Sequence, residues 1–394
     1  MQTPTNCCEI SSKIAAKVIE RATYVIESFG PRPPGSVAEK QALDFAQTLI
    51  EPLGKVQRES FQFAPMAFFC MQRVSATLGM MALVSYWLHP LAGLGFGLLS
   101  LLIKYQQLLR YRLFLDPFFP KAKSENLWAI LEPTGEVKQT IIINAHPDAA
   151  FEWRWNRMFP KLFAPLVAIM LISLFLVPLL CLAGWFTTSV ENGRLFSGIG
   201  LSLLFPSFVL AFFFNDLKVV APGANDNLSG MFLGLGIFEH FALAKLKQTK
   251  LIFLLTGSEE AGLRGAKGWA TRHRVEFAHK STSVITLDTI RDLDYLKIYS
   301  RDLNGTVRHD PEVCQWLKET GAKTGIIIPE GTVFLGATDA AALTQAGFRC
   351  ATIAAMDPAP AFYYHTRWDT PQNMNPKCIE VVATLLINAI SNLD

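Results

Sequence analysis

Three stretches of this 394-residue chain contain no Asp, Glu, Lys or Arg, and they limit what the rest can fold into. They are residues 74–103, "VSATLGMMALVSYWLHPLAGLGFGLLSLLI", 162–186, "LFAPLVAIMLISLFLVPLLCLAGWF", and 195–214, "LFSGIGLSLLFPSFVLAFFF". A helix of about 20 apolar residues spans a bilayer core. A helix buried in a soluble core keeps a polar face over such a length, and these do not. Only "TTSVENGR" separates the last two runs, so they predict a transmembrane hairpin. The first run is long for one span and Pro90 interrupts it, which predicts a second hairpin turning near His89–Pro90. Each of its arms has only about 15 residues, roughly 22 Å at 1.5 Å per residue, against a core of about 30 Å. The arms either extend past Arg73 and Lys104, with those charges snorkelling, or form a re-entrant hairpin. Composition agrees with membrane residence, at 51% hydrophobic and 18% charged. A net charge of +3 is too balanced for a nucleic-acid partner.

The remaining text is of a different kind. Residues 12–30 and 36–54 have helical spacing, separated by the rigid loop "GPRPPG", and Ser36 with Glu39 fits a capping box. "KVQRESFQF" alternates like a strand. "NLWAILEP", "QTIIINAH", "KLIFLLTG", "TSVITLD" and "RCATIAA" are apolar strands, interleaved with helical stretches at 225–245, 262–275, 311–320 and 376–393. Strands alternating with helices predict an α/β fold, a three-layer sandwich around a mostly parallel mixed sheet, with the transmembrane hairpins inserted. The seven cysteines lack metal-finger spacing and read as free thiols of a reducing compartment. The N-terminus has no apolar core and does not read as a signal peptide.

An α/β sheet places its chemistry at strand ends. Read in order, those ends carry "AHPD" with His146 and Asp148, "PGANDNLSG" with Asp226, "GSEE" with Glu259 and Glu260, Asp288 closing "TSVITL", and "FYYHTRWDTPQN" with His365. Imidazoles mixed with carboxylates suit zinc and related divalent ions. Several carboxylates converging without a cation repel one another, which a pair of metal ions resolves. Adjacent glutamates point in different directions, so one can bind metal while its neighbour moves a proton.

His-x-Asp, Asp-Asn before a Ser-Gly helix start, Glu-Glu, Asp and a late His, in that order, resemble the co-catalytic di-zinc exopeptidase family of aminopeptidase S and aminopeptidase Y, to which glutamate carboxypeptidase and glutaminyl cyclase are related. The resemblance covers residues 12–65, 124–157 and 219–394. It implies the phosphorylase/hydrolase-like sandwich and two Zn2+ per chain. His146 and Asp288 would bind one zinc, Glu260 and His365 the other, with Asp226 bridging. Glu259 would be the general base, Asp148 would hold the His146 ring in its binding tautomer, and Tyr364 would donate to the oxyanion. Asp339 stands where the family often has Ser-Asp-His, lacks that His, and is expected to cap a helix; Asp369 is expected to support a ligand. Pro147 and the segment "TLDTIRD" depart from the family pattern, and the latter makes Arg291 a candidate for a substrate carboxylate. Glu152 and Trp153 are candidates for the cleft border, while His89, His273 and His309 need no function.

The expected organisation is a peptidase domain in three pieces, 12–73, 104–161 and 215–394, interrupted by membrane hairpins at 74–103 and 162–214. Arg73, Lys104, Arg110, Arg112, Arg154, Arg157, Lys161 and Lys218 flank the spans on the domain side, which places that domain in the cytoplasm by the positive-inside rule. The expected protein is a multi-pass enzyme of the cytoplasmic membrane, an aminopeptidase acting on peptides, with carboxypeptidase, dipeptidase, cyclase and non-catalytic receptor readings as alternatives.

Overall fold

The computed structural model describes residues 4–359 and 361–394. The chain divides into two compact units: one of residues up to Phe63, Lys121–Ala150 and Val220–Asp394, the other of Ala64–Pro120 and Phe151–Val219. The second unit takes in the apolar runs together with their flanks.

The first unit is built on a nine-stranded sheet. In chain order its strands are β1 (Lys55–Phe63), β2 (Ala122–Leu131), β3 (Gln139–Ala145), β4 (Thr249–Leu255), β5 (Thr282–Ile290), β6 (Leu296–Asp302), β7 (Val307–Arg308), β8 (Glu330–Thr332) and β9 (Arg349–Ala355). Their spatial order is β1-β2-β4-β3-β5-β9-β6-β8, with β7 paired to β6. The central strands β4, β3, β5 and β9 are all parallel. Antiparallel ladders flank them, β1 and β2 on one side and β6 on the other. The sheet is thus mixed, with a parallel centre and a further parallel pair, β6 with β8, at one edge.

Both faces of those central strands are buried, as their near-continuous apolar text requires. Ile141 and Ile143 of β3, with Leu251, Phe253 and Leu255 of β4, enter the larger core cluster. Helices Pro4–Phe29, Val37–Ile50, Gly230–Ala244, Pro311–Lys323 and Pro376–Ser391 contribute to that side. Ile142, Ile252 and Leu254 face the opposite way, against Trp269 and Ala270 of helix Arg264–Phe277 and Ala340 and Leu343 of helix Asp339–Gln345. Period-two alternation along each strand therefore separates two helical layers around one sheet.

Register brings the chemistry together. Ala145 at the end of β3 lies beside Leu255 at the end of β4, Asn144 beside Thr286 of β5, and Asp288 of β5 beside Ala354 of β9. The loops following β3, β4 and β9, and Asp288 itself, consequently emerge at one edge of the sheet. The helix expected over 225–245 starts only at Gly230, because Asp226 and Asn227 are non-helical. Asn227 is tied sideways to β5, donating to Leu287 O at 2.8 Å and accepting from Thr289 N at 3.3 Å.

The second unit is mainly helical. Helices Met71–Leu88 and Pro90–Lys104 break at His89, whose side chain accepts from Leu91 N. Helix Phe163–Phe186 is continuous. The expected arm over 195–214 is instead two helices, Gly193–Ser202 and Phe205–Phe212; Pro206 stands in the first turn of the latter, where a missing N–H costs nothing. The stretches Pro160–Phe186 and Gly193–Phe212 are each long and apolar enough to cross a membrane, and only 28% of their most apolar windows is buried within the structure. Small residues let the helices approach: a Cβ on Gly97 would stand 2.7 Å from Val177, and one on Gly198 2.6 Å from Trp87. The buried hydroxyls of Ser75 and Ser100 pair at 2.8 Å.

The tip of the first hairpin touches the tip of the second. Arg194 Nη2 donates to Trp87 O at 2.6 Å, Tyr86 Oη donates to Arg194 O at 2.8 Å, and the His89 and Trp185 rings lie 5.4 Å apart.

Helix Gly230–Ala244 lies so close to the sheet that a Cβ on Gly234 would stand 2.6 Å from the Phe253 ring and 3.1 Å from Ile143. Alanine gains about 1 kcal/mol of helix propensity over glycine, whereas overpacking a full core costs about 1–3 kcal/mol. Gly234→Ala is therefore expected to lower the melting temperature; an unchanged or raised value would show that this contact is looser than described.

Candidate metal centre

The sheet edge gathers the sequence candidates. His146 follows β3 directly, and its Nε2 lies 3.5 Å from Asp226 Oδ1 and 3.9 Å from Glu259 Oε2. The other carboxylate oxygen of Asp226 faces His365, at 3.0 Å from Nε2, which is also 3.4 Å from Glu260 Oε2. Asp226 therefore stands between two imidazoles. Potential ligand atoms of His146, Asp226 and Asp288 lie within 4.8 Å of one another, and so do those of Asp226, Glu260 and His365. The two groups share Asp226.

The adjacent glutamates diverge, Glu259 toward His146 and Glu260 toward His365. The turn that aims them explains the text "GSEEAGLRG". A Cβ on Gly257 would overlap Glu125 O, and one on Gly265 would overlap Asn126 Oδ1. Ser258 has φ 58° and Gly262 φ 99°, the left-handed region. Asp148 closes the turn: its Oδ1 and Oδ2 accept from the backbone N–H groups of Glu259 and Glu260, both at 3.0 Å. Its Oδ1 also lies 3.4 Å from His146 Nδ1, which leaves Nε2 facing the carboxylates. Asp369 plays the matching part for Asp226, accepting from Asn225 N at 2.8 Å, Asn225 Nδ2 at 2.7 Å and Asp226 N at 3.1 Å.

The electrostatics call for positive charge. Burial pushes the Glu260 carboxyl up to about 7 and that of Asp288 up to about 6, with Asp226 adding repulsion to both. Burial, then the carboxylates of Asp339, Glu260 and Asp288, push Glu259 well above its ordinary range against the pull of His146. Burial opposes charge on His365 too, but Glu260 and Asp226 overcome it and raise its pKa to about 10. Asp226 is also buried, yet its contacts with both imidazoles hold it far below the usual carboxylate range. Against burial, the surrounding carboxylates thus push both His146 and His365 toward the charged form. Glu260 Oε1 is buried with no hydrogen-bond partner. A donor set of imidazole nitrogens and carboxylate oxygens without sulfur suits a zinc-like divalent cation, and these residues fit one.

Tyr364 stacks on His365 at a ring separation of 4.0 Å. Burial and the carboxylates around it raise its pKa well above the ordinary phenol value, so it remains a hydrogen-bond donor at neutral pH. Arg291 lies in the loop after β5. Its Nε donates to Asn373 O at 2.9 Å, Nη1 pairs with Asp292, and the guanidinium lies 4.8 Å from the Tyr363 ring and 5.5 Å from that of Phe362. Those contacts tie Arg291 to the chain on either side of His365. Asp339 was expected to cap a helix; instead the N-cap position is Thr338, and Asp339 accepts from Thr256 Oγ1 at the end of β4. Glu152 pairs with Arg157 at 3.1 Å in the second unit. Sequence reasoning missed Arg32 and Glu39, both buried, and Asn126, whose side chain bonds Gly257 N and Gly265 O. Arg32 stood in a loop read as merely rigid, and Glu39 had a local role in a capping box.

A sequence model of Peptidase family M28 matches residues 212–390, which include Asp226, Glu259, Glu260, Asp288 and His365 but not His146. No curated protein sequence matches the chain. Among solved structures, an aminopeptidase from Aneurinibacillus sp. has TM-score 0.59 at 15% identity, over 98% of this chain and 95% of that one. A Zn-dependent exopeptidase from Parabacteroides distasonis has TM-score 0.57 at 12% identity, and a glutaminyl cyclase from Porphyromonas gingivalis 0.56 at 13%, each over 98% of both chains. At these identities the likeness establishes a shared fold, the mixed α/β architecture of zinc-dependent exopeptidases and glutaminyl cyclases.

Burial raises the Asp339 carboxyl to about 7, with Asp148 and Asp288 adding repulsion. A carboxyl raised on folding stabilises fully below its unfolded pKa, near 4, and that stability is lost as pH rises through about 7. In chelator, the melting temperature is expected to fall across this window, and Asp339→Asn to flatten the slope by on the order of a few kcal/mol. Parallel wild-type and variant profiles would contradict the assignment.

Proposed function

We propose that the chain is a membrane-anchored zinc-dependent exopeptidase, an aminopeptidase that removes N-terminal residues from peptides. The observation that carries this reading is the position of Asp226 between two ligand groups, each completed by an imidazole and a second carboxylate. His146, Asp226 and Asp288 would hold one zinc, and Asp226, Glu260 and His365 a second. The match to Peptidase family M28 and the fold shared with zinc-dependent exopeptidases support the same chemistry.

Bound zinc would supply Lewis-acid activation of a water and of the scissile carbonyl. Glu259, near the ligands but turned from the His365 group, takes the proton of the attacking water at its carboxylate and returns it to the leaving amine. Its raised affinity for a proton suits that shuttle. Tyr364 donates its hydroxyl hydrogen bond to the developing oxyanion. Asp148 keeps His146 Nε2 inward and fixes both glutamate backbones.

The shared fold with glutaminyl cyclases supports a second reading, cyclisation of N-terminal glutamine with loss of ammonia. A library of peptides with free and blocked N-termini, analysed by mass spectrometry, separates the two. Loss of single residues from free N-termini only is expected; loss of ammonia from N-terminal glutamine alone would favour the cyclase. Glu259→Ala should retain zinc and lose about 10²–10⁴-fold in turnover, whereas Glu260→Ala should lose zinc affinity. Equal turnover in Glu259→Ala and wild type would remove Glu259 from the mechanism.

The bilayer is the partner proposed for the second unit, with four helical segments in two hairpins. Helix Phe163–Phe186, of 24 residues, reaches about 36 Å at 1.5 Å per residue, enough to cross a core of about 30 Å. The contacts of Arg194 with Trp87 and of Trp185 with His89 put the first hairpin's tip at the second's depth. Both hairpins then cross, and the basic residues flanking their bases favour a cytoplasmic catalytic unit. Single cysteines at His89 and Val190 are expected to react with an impermeant maleimide from the outer face of intact cells. Labelling of Val190→Cys without His89→Cys would make the first hairpin re-entrant.

A further inference from the structure

Two buried charged residues in one short N-terminal stretch reach three of the loops that carry the site. Arg32 is fully buried, and its guanidinium is divided among backbone carbonyls of two distant loops. Nε donates to Pro147 O at 2.7 Å, one residue after His146. Nη1 donates to Pro222 O at 2.8 Å and Nη2 to Gly223 O at 2.9 Å, on the loop entering Asp226. The backbone carbonyl of Arg32 in turn accepts from Ala149 N at 2.9 Å. Glu39 is buried as well. Its Oε1 accepts from Ser258 N at 2.6 Å and Ser258 Oγ at 3.0 Å, immediately before Glu259. Its Oε2 accepts from Gly35 N at 2.7 Å and Ser124 Oγ at 3.0 Å. Ser36 does cap helix Val37–Ile50 by accepting from Glu39 N, but the Glu39 carboxylate leaves the box and spans to a turn 219 residues away.

These contacts cost too much to be incidental. A buried guanidinium or carboxylate persists only with full hydrogen bonding. Ser258 is held at φ 58°, a conformation that costs a non-glycine residue about 1–2 kcal/mol and that sets the direction in which Glu259 leaves. The same Glu39 oxygen takes both donors of that serine, which fixes the strained residue. Arg32 adds positive charge behind the site: burial lowers its pKa to about 10, against the opposing pull of Asp369, Asp148, Asp226 and Glu39.

We infer that residues 32–39 form a positioning frame for the metal centre, in which Arg32 sets the loops of His146 and Asp226 and Glu39 sets the turn of Glu259 and Glu260. Neither side chain touches substrate; both act through the groups they hold. The inference rests on the metal-centre reading above, and its test does not require that the reaction be peptide cleavage.

The experiment measures zinc affinity by chelator competition, kcat and KM, and melting temperature, on the full-length protein in detergent. Three variants are compared: Arg32→Lys, Glu39→Gln and, as a stability control, Asp310→Asn, which keeps an acceptor at the helix start but removes the charge that pairs with Arg349 at 2.9 Å. A lysine ammonium cannot serve three diverging carbonyls, so Arg32→Lys is expected to weaken zinc binding by roughly ten- to a hundredfold. Glutamine at 39 can still accept from Ser258, but its NH2 meets the donor Gly35 N–H. Glu39→Gln is expected to keep its zinc and lose kcat by roughly tenfold or more, with KM little changed. Asp310→Asn is expected to lower the melting temperature without moving zinc affinity or kcat. If Arg32→Lys does not fold, Glu39→Gln alone decides the question. Wild-type kcat in folded Glu39→Gln, or wild-type zinc affinity in folded Arg32→Lys, would overturn the frame. So would losses matching those of Asp310→Asn at equal melting temperature. A wild type that binds zinc but cleaves no peptide would refute the peptidase reading, and the Arg32→Lys affinity would still test the frame.

Discussion

Mutual repulsion among the carboxylates of Asp226, Glu259, Glu260 and Asp288 is the interaction that the rest of the first unit must accommodate. Two like charges 4 Å apart cost about 4 kcal/mol at an effective dielectric of 20, and burial adds to that. No fold of ordinary marginal stability carries several such pairs without compensation. The structure compensates with the two imidazoles that face Asp226, and with the guanidinium of Arg32 behind the loops. The same arrangement makes the site receptive to divalent cations, because a cation between the carboxylates turns the largest cost into the largest gain.

Position is supplied by the sheet and held by hydrogen bonds that arrive from elsewhere in the chain. The parallel strands β4, β3, β5 and β9 end at one edge. Asp148 gives the Glu259–Glu260 turn two acceptors, Asp369 gives the Asn225–Asp226 backbone two, and Asn126 bridges Gly257 to Gly265. Each loop conformation is thus fixed by a residue distant in sequence. The glycines at 257 and 265 tolerate no Cβ because backbone and side-chain atoms of β2, and Gly257 beside Gly265, already fill the space.

How much of this could be read beforehand follows from the range of the interactions. The ligand candidates were legible because ligand chemistry restricts residue type and strand ends restrict position, so "AHPD", "GANDNLSG" and "GSEE" stand out without any tertiary information. The charge-free runs and the break at His89 were legible for a similar reason, since bilayer length and proline act locally. Arg32 and Glu39 were not legible, because the site loops they hold lie 115 to 219 residues away and nothing near them in sequence demands a buried charge. Asp339 misled for the same reason: a helix start offers a plausible local acceptor role, and the actual donor is Thr256 on another strand. The anchoring of Arg291 was equally illegible, because its aromatic and carbonyl partners come from the loop around Phe362 and Asn373. The helix expected from residue 225 was displaced to Gly230 by the sideways bonds of Asn227 to β5. Helical periodicity cannot register such bonds.

The account turns on Asp226 serving two ligand groups at once. The most direct measurement is the zinc content per chain, by elemental mass spectrometry, of the detergent-purified protein after exhaustive dialysis, for wild type and for Asp226→Asn. The account predicts two zinc ions per wild-type chain and fewer than one in the variant, because a shared ligand takes both sites with it. A wild-type chain without zinc, or a variant that retains the wild-type content, would contradict it.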